Sequence, residues 1–251
     1  MTETNFDIVI CVGPNDEDIL EQNLLFTKKN IIGYRNIYLV CSNPNIKFDY
    51  TITIDENIFP FTKNKLEEII GINDRIGWYL QQLLKIYSGN IIPGILKRYL
   101  ILDCDTFFLK PTNFINNEGK LFLTTSNEYH EEYFIHMNKL HPSLKKYYPL
   151  SGISHHSFFN NDRINELINL VEDYHQNNKP FWLIFLETIL ELINKKGFAG
   201  AECSEYEIYF NFMYFYYPNE IEIRQLQWEN VEKLNTNTLC DYQSVHWYMR
   251  N

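Results

Sequence analysis

The sequence predicts an α/β fold with a mostly parallel central sheet, and three features carry that prediction. The mostly apolar runs at residues 6–12 and 36–41 flank a stretch of helical length at 18–29, an order that joins parallel strands. A third run, residues 99–102, is apolar throughout, as in a strand that is buried on both faces. At 251 residues, without internal repeats or a linker, the chain is expected to form one domain over residues 1–251.

The remaining elements follow from hydrophobic periodicity and from turn residues. Strands are expected at residues 50–54, 121–125, 152–160 and 221–228, and helices at residues 75–87, 131–140, 163–174 and 180–195. Ser204 and Glu207 have the spacing of a helix capping box, which predicts a further helix beginning at Glu205. Glu207 is therefore interpreted as structural. Glu205 is either a carboxylate favoured by the helix dipole or a chemical group at the sheet edge.

Composition and charge exclude several classes of partner. The formal net charge of -10 disfavours a nucleic-acid backbone as ligand. The most apolar helical run, residues 181–193, is too short for a membrane span and contains two glutamates. The polar start and the scattered cysteines, which lack zinc-site spacing, predict a reduced, cytoplasmic protein without a secretory signal.

Two acids follow the buried run at residues 99–102 and define the first candidate site. Asp103 and Asp105 are separated by one residue, so in an extended chain both side chains point to the same side. Two carboxylates held this close repel each other unless a cation lies between them, and a hard divalent ion usually also binds a phosphate. Ligands of parallel sheets bind beyond the carboxyl ends of the strands, so Gly13 and Asp55 are expected at the same edge. The alternative is a polar turn with two solvated acids.

The helix at residues 75–87 has one apolar face and one face of unusual polar composition. The second face carries Arg75, Trp78, Gln82 and Lys85, with Gln81 beside them. An ordinary solvated face and a face turned towards a ligand both fit this pattern, and the Trp among polar residues favours the ligand.

Histidines supply further candidates. His155 and His156 are adjacent in a predicted strand and point to opposite sides, so only one of them can face a site. His246 is either a core residue or a third metal ligand beside the two acids. It lies in an aromatic C-terminal segment, which is expected to be held on the fold and not frayed.

Two other phosphate-handling classes do not match. Phosphotransferases of the haloacid dehalogenase type also place Asp-x-Asp after a strand. They carry Thr or Val two residues after the second Asp, where this chain has Phe107. The turn at residues 13–16 lacks the lysine and the spaced glycines of a P-loop.

Five segments, in order, resemble the GT-A nucleotide-sugar glycosyltransferases, in particular the DUF6492 family and its relatives. They are GWYLQQLLK (77–85), YLILDCDT (99–106), GISHH (152–156), SEYEIY (204–209) and VHWY (245–248). The resemblance implies a Rossmann-like GT-A fold. It also implies a divalent ion, commonly Mn²⁺, on the donor diphosphate, with a C-terminal His as an additional ligand.

The resemblance also implies roles for individual positions. Metal ligation is implied for Asp103, Asp105 and His246, and catalytic roles for Glu205 and Asp103. Donor binding is implied for Gly13, Pro14, Asn15, Asp55, Arg75, Gln81, Lys85, Asp103 and His156. Glu205 would act as the base if the reaction inverts the anomeric centre, and would otherwise orient the acceptor.

The resulting prediction is a metal-dependent glycosyltransferase of the hexosyl- or HexNAc-transferase class. It would use Mn²⁺ or Mg²⁺ and a nucleotide-diphospho-sugar, with a UDP-sugar favoured, and its acceptor would be a hydroxyl of a glycan, a protein or a lipid-linked sugar. Two alternatives are a sugar nucleotidyltransferase and a non-catalytic sugar- or nucleotide-binding module. A sugar nucleotidyltransferase requires a Gly-rich N-terminal signature with basic residues, which residues 12–17 lack. A non-catalytic module would be expected to have lost the acids of the site, whereas Asp103, Asp105 and Glu205 are all present here.

Overall fold

A five-stranded sheet lies at the centre of the computed structural model, which describes residues 5–250. The elements are, in chain order, β1 (Phe6–Val12), α1 (Leu20–Asn30), β2 (Tyr34–Cys41), β3 (Thr51–Asp55), α2 (Lys63–Ile70), α3 (Ile76–Ile91), β4 (Arg98–Asp103), β5 (Thr106–Phe108), β6 (Leu121–Thr124), α4 (Glu131–Leu140), β7 (His156–Asn160), α5 (Asn161–His175), α6 (Phe181–Lys196), α7 (Glu205–Tyr216), β8 (Ile221–Arg224), β9 (Trp228–Asn230) and β10 (Tyr242–Ser244). Within that range, no helix is long and apolar enough to cross a membrane. The first four residues, part of the basis for expecting a cytoplasmic protein, lie outside the described residues.

The central sheet has the strand order β3-β2-β1-β4-β7. Strand β1 runs parallel to β2 and β4, and β2 runs parallel to β3, whereas β7 is antiparallel to β4. The prediction of a mixed, mostly parallel sheet flanked by helices is therefore confirmed. The register pairs Cys11 with Asp103 and Cys41 with Asp55. The carboxyl ends of four strands thus meet at one edge of the sheet, the position at which α/β folds bind ligands.

Apolar side chains cover both faces of the sheet, because alternate residues of a strand point to opposite faces. In β1, Val9 and Cys11 pack in the cluster that contains residues of α2 to α7. Ile8 and Ile10 pack in a second cluster, with α1 and several aromatic side chains. Every residue of β1 is buried, including Asp7, whose carboxylate accepts two hydrogen bonds from the Arg35 guanidinium. Each such apolar side chain contributes about 1.5–3 kcal/mol by leaving water.

Two smaller sheets extend the fold beyond the central one. Strands β6 and β8 are parallel, and Thr124 pairs with Arg224 at their carboxyl ends. Strand β10 is antiparallel to β5 and parallel to β9. The C-terminal segment is therefore held on the fold as predicted, but by β10 and by polar contacts of Val245 and Arg250, whereas Trp247 and Tyr248 are 57% and 67% exposed.

Two regions differ from the expected elements. Residues 152–155 are not part of a strand, and β7 begins only at His156. Gly152 lies so close to α7 that a Cβ atom there would be 2.4 Å from Cβ of Phe210, so the segment is packed by close approach and not by strand pairing. The stretch predicted as one strand at 221–228 is divided between β8 and β9.

Helix α3 is buried on more sides than its pattern suggested. Gln82 is 1% exposed and Lys85 is 3% exposed, so the polar face does not meet solvent at these positions. A buried lysine requires partners for its charge, and these partners define the site described next.

Candidate active site

A buried ion-pair network joins three elements at the carboxyl edge of the sheet. Lys85 Nζ donates to Asp103 Oδ1 at 2.6 Å and to Glu205 Oε1 at 2.7 Å, and it lies 3.2 Å from the hydroxyl of Tyr206. The Tyr206 hydroxyl in turn donates to Asp103 Oδ1 at 2.7 Å. The network thus links α3, the last residue of β4 and the start of α7. All three protons of the ammonium group have acceptors, as a buried cation requires.

Charge pairing within this network shifts its pKa values. Burial would raise the pKa of Asp103, but the Lys85 charge and the hydrogen bonds from His155 and Lys85 hold it well below its usual range. Burial would lower the pKa of Lys85, but the charges of Asp103 and Glu205 raise it above its ordinary value. For Glu205, burial raises the pKa by more than Lys85 lowers it. At neutral pH Asp103 is ionised and Lys85 is charged.

Asp105 forms a second pair with His246, on the other side of the strand end. His246 Nδ1 lies 2.8 Å from Asp105 Oδ2. The backbone brings them together, because Val245 N–H donates to the Asp105 carbonyl at 2.8 Å where β10 leaves β5. Burial would lower the pKa of His246, but its hydrogen bond with Asp105 and the charge of Asp105 raise it. The structure thus brings together two residues that are 141 positions apart, both among the three for which the sequence resemblance implies metal ligation.

His155 occupies the space between the two pairs. Its Nδ1 lies 3.6 Å from Asp103 Oδ2, and its ring meets the His246 ring edge to face at 5.0 Å. Its backbone has a φ of 60°, in the left-handed region that non-glycine residues seldom adopt. Such strained residues are concentrated at functional sites.

His156 was predicted to bind the nucleotide-sugar donor, but it lies in the core. Its ring is buried against Phe108, Phe114 and Tyr242, and its Nε2 lies 3.0 Å from Thr124 Oγ1. Burial lowers its pKa to about 3, so the ring is neutral. The left-handed turn at His155 directs that residue, and not His156, to Asp103.

The described residues fit a divalent ion in part. Within residues 5–250, no group of three His, Cys, Asp or Glu side chains is arranged to hold a metal ion. The Asp105–His246 pair provides two ligand atoms 2.8 Å apart, close to the roughly 3 Å expected between neighbouring ligands of one octahedral ion. Ions of this kind often take one or two protein ligands and complete their shell with substrate phosphates and water. Asp103, predicted as a third ligand, has one oxygen engaged by Lys85 and Tyr206.

The loop after β1 is fastened to the C-terminal segment. Arg250 donates to Asp16 Oδ1 at 2.5 Å, to Asp18 Oδ1 at 2.9 Å and to the carbonyl of Asn15 at 2.6 Å. Burial and the nearby charge of Asp105 raise the pKa of Asp16 to about 6, although Arg250 lowers it. Gly13, Pro14 and Asn15 thus follow β1 at the expected edge, beside a segment that sequence reasoning did not connect to them.

The other residues predicted to bind the nucleotide-sugar donor lie in different surroundings. Gln81 reaches the end of β1, with its Nε2 3.5 Å from the Cys11 carbonyl. Arg75 lies over the Trp78 ring at 4.1 Å and donates to the Gly200 carbonyl. Asp55 ends β3 and caps the following turn by accepting from Asn57 N–H. Lys85, expected to face donor phosphates, is instead enclosed by the carboxylates of its network.

The two glutamates at the start of α7 have different environments. Glu207 N–H donates to Ser204 Oγ, which confirms the predicted cap. The Glu207 carboxylate accepts from Ser151 and Asn211 and takes no part in the Lys85 network. Glu205 belongs to that network but is only 3% exposed. Glu207 is therefore a packing residue, whereas Glu205 belongs to the site.

Fold and site together define an α/β protein with an acidic, histidine-containing cluster at the carboxyl edge of its sheet. No protein-family model matches the chain, so membership of the DUF6492 family stays a prediction. No curated protein matches it either. Among solved structures, the chain is similar to mouse xyloside xylosyltransferase 1 in its apo form. The TM-score is 0.47 and the identity 12%, over 96% of this chain and 97% of that chain.

Proposed function

We propose that the protein is a metal-dependent GT-A glycosyltransferase that uses a nucleotide-diphospho-sugar, with a UDP-sugar as the favoured donor. The observation that carries the proposal is the meeting of Asp103, Asp105 and His246 at the carboxyl edge of the central sheet. Asp105 and His246 come from distant parts of the chain and lie 2.8 Å apart. This is the ligand pair that the GT-A resemblance implies, at the edge where α/β folds bind nucleotides.

Asp105 and His246 would hold the divalent ion, Mn²⁺ or Mg²⁺. When bound, such an ion stabilises the negative charge that develops on the leaving diphosphate. His246 must be neutral to act as a ligand, so ion binding would release the proton favoured by the pairing with Asp105. In the transfer, the bond between the anomeric carbon and the diphosphate oxygen breaks. The bond to the acceptor oxygen forms, and the proton of the acceptor hydroxyl passes to the leaving diphosphate or to solvent, so that the products are the glycosylated acceptor, the nucleoside diphosphate and one proton.

Asp103 would bind the donor from a fixed position. Lys85 and Tyr206 hold its Oδ1, and its other oxygen faces His155. A carboxylate fixed in this way can accept a hydrogen bond from a sugar hydroxyl without first being reoriented. Its lowered pKa keeps it ionised over the whole physiological range.

Glu205 is better suited to positioning Lys85 than to removing a proton from an acceptor. Its carboxylate is in contact with Lys85, and its side chain is 4% exposed. Contacts to the nucleotide-sugar donor would come from the loop at residues 13–15 and from Gln81 and Arg75, which are partly or fully exposed.

Metal-dependent nucleotide binding tests the proposal. With UDP and Mn²⁺ at about a hundred times the dissociation constant, the free energy of unfolding should rise by about 2.7 kcal/mol. For a chain of this size, that is a rise in Tm of about 5–11 °C. Asp105→Ala should abolish the part of this rise that requires Mn²⁺. Asp162→Ala, which removes a carboxylate 52% exposed in a surface ion pair, is the matched control and should behave as the wild type. An undiminished Mn²⁺-dependent rise in the Asp105 variant would refute the metal site.

A further inference from the structure

An open cleft lies beside the site, beyond the carboxyl ends of β6 and β8. These strands are parallel and in register at Thr124 and Arg224, so the residues that follow them, 125–128 and 225–228, meet at one edge. The cleft has a volume of about 840 Å³. Small-molecule sites in proteins commonly measure roughly 300–1,000 Å³, so the cleft is large enough for a substrate.

The cleft is lined by neutral hydrogen-bonding groups. Asn127, Gln225 and Gln227 contribute three side-chain amides, and Trp228 adds an indole ring. The three residues are exposed, and their amide groups make no hydrogen bond within the part of the chain that the structure describes. An amide both donates and accepts, which matches the hydroxyl groups of a sugar. No Lys or Arg among the described residues lines the cleft, and its one charged lining residue is Glu128. An anionic ligand therefore has no counter-charge here.

Two residues that line the cleft, Glu128 and Trp228, contact His155 of the proposed active site. Glu128, which lines the cleft, places its Oε1 3.9 Å from His155 Nε2. Trp228 contacts the His155 ring, with centroids 4.8 Å apart. His155 is 8% exposed, and its Nε2 is buried with no hydrogen-bond partner within residues 5–250. An unpartnered buried nitrogen is costly unless a ligand or water satisfies it. Its other ring nitrogen faces Asp103.

We propose that this cleft binds an uncharged carbohydrate and directs one of its hydroxyl groups to His155 Nε2. A hydroxyl both donates and accepts, so it can hydrogen-bond to the imidazole and to Glu128 together. The bound carbohydrate would be the acceptor of the transfer, an assignment that rests on the proposed function. Of the three predicted acceptor classes, the cleft thus favours a glycan without acidic groups over a lipid-linked sugar phosphate.

Calorimetric titration with defined oligosaccharides tests this inference. The full chain would be titrated with neutral gluco-, galacto-, xylo- and manno-oligosaccharides and with sialylated and sulfated counterparts, each with and without UDP and Mn²⁺. We expect binding of at least one neutral series and none of the anionic ones. The triple variant Asn127→Ala, Gln225→Ala, Gln227→Ala should weaken that binding about tenfold or more, because it removes three exposed hydrogen-bonding groups. Gln22→Ala, another exposed amide, on α1, is the control and should leave the affinity unchanged.

The outcomes separate the cleft from the nucleotide site. Binding of neutral glycans that the triple variant loses, with UDP binding intact, supports the inference. UDP binding without any neutral-glycan binding, or glycan binding that the triple variant retains, overturns it and leaves the proposed function standing. Glycan binding that the triple variant loses, in a protein that does not bind UDP, supports the cleft as a carbohydrate site and refutes the transferase.

Discussion

Replacement of Lys85 by Met should destabilise the protein strongly, although Met fills nearly the same volume. The side chain of Lys85 is 4% exposed, and it is the cation between Asp103 and Glu205. With Met at this position, two buried carboxylates face each other without a counter-charge. The consequence is electrostatic and not steric, which is why Met and not Ala is the informative replacement.

The contact distances give the size of the effect. At an effective dielectric constant of about 20, each contact of 2.6–2.7 Å contributes about 6 kcal/mol of attraction. The desolvation of the three charges offsets much of this gain. Removal of one partner of a buried ion pair typically costs about 3–5 kcal/mol, which for a chain of this length lowers Tm by roughly 6–20 °C.

The loss should also depend on pH. In the wild type, the pKa of Asp103 is lower in the folded protein than in the unfolded chain. The stability that follows from this difference is fully present above the pKa of the unfolded chain, and it is lost only as the pH falls towards the pKa of the folded protein. In the variant, burial acts on Asp103 and Glu205 without Lys85, so their pKa values rise and the folded state takes up a proton. The variant therefore loses stability as the pH rises, and the difference from wild type should widen from roughly pH 5 to pH 8.

Urea unfolding of both proteins across this pH range is the assay. Lys97→Met is the control: its ion pair with Asp162 has side chains 73% and 52% exposed, and such pairs contribute about 0–1 kcal/mol. Addition of Glu205→Gln to the Lys85 variant should restore part of the loss, because it removes one of the two unpaired charges. A Lys85 variant as stable as the Lys97 variant, or a deficit that does not change with pH, would refute this account of the network.

Two further predictions concern histidines. Burial lowers the pKa of His136 from 6.5 to about 4, so its stability contribution is lost as the pH falls from 6.5 towards 4. Between pH 7 and pH 5 the free energy of unfolding of the wild type should fall by about 2 kcal/mol more than that of His136→Gln, whose amide can still donate to the Phe185 carbonyl. Urea-unfolding free energies that change in parallel with pH in the two proteins would contradict this. His155→Asn should fold normally, because Asn tolerates the left-handed backbone. The KM for a glycan acceptor should nevertheless rise about tenfold, with UDP affinity kept; an unchanged KM in steady-state transfer assays would remove His155 from acceptor positioning.

Local pattern was sufficient for the elements that form the sheet edge. The mostly apolar run of β1, the continuous apolar run of β4 at residues 99–102 and the turn residues after them identified the edge and both acids of the Asp-x-Asp motif. The capping spacing of Ser204 located the start of α7 at Glu205. These signals lie within a few residues of what they predict, so no knowledge of distant contacts is required.

The predictions that were wrong depend on features of the folded chain that local pattern does not carry. The environment of Lys85 depends on Glu205, 120 positions away, and helical periodicity carries no information on such partners. The choice between His155 and His156 assumed strand alternation, whereas the backbone turns left-handed at His155. Arg250 reaches a loop that lies 235 positions earlier in the chain. In each case a tertiary contact decided the side chain's role.

The central sheet and the proposed metal-ligand pair, Asp105 and His246, become complete at very different points of the chain. All five strands of the sheet are contained in residues 6–160, yet His246 follows β10, near the end. Between β9 and β10 lies a stretch, residues 231–241, that is mostly exposed. Such exposed polar segments are where proteases cut most readily. A single cut there would free the segment that carries His246 and Arg250 while leaving the central sheet covalently whole. Such a cut would therefore separate the proposed metal ligand His246 from Asp105 while every strand of the central sheet stays in one chain.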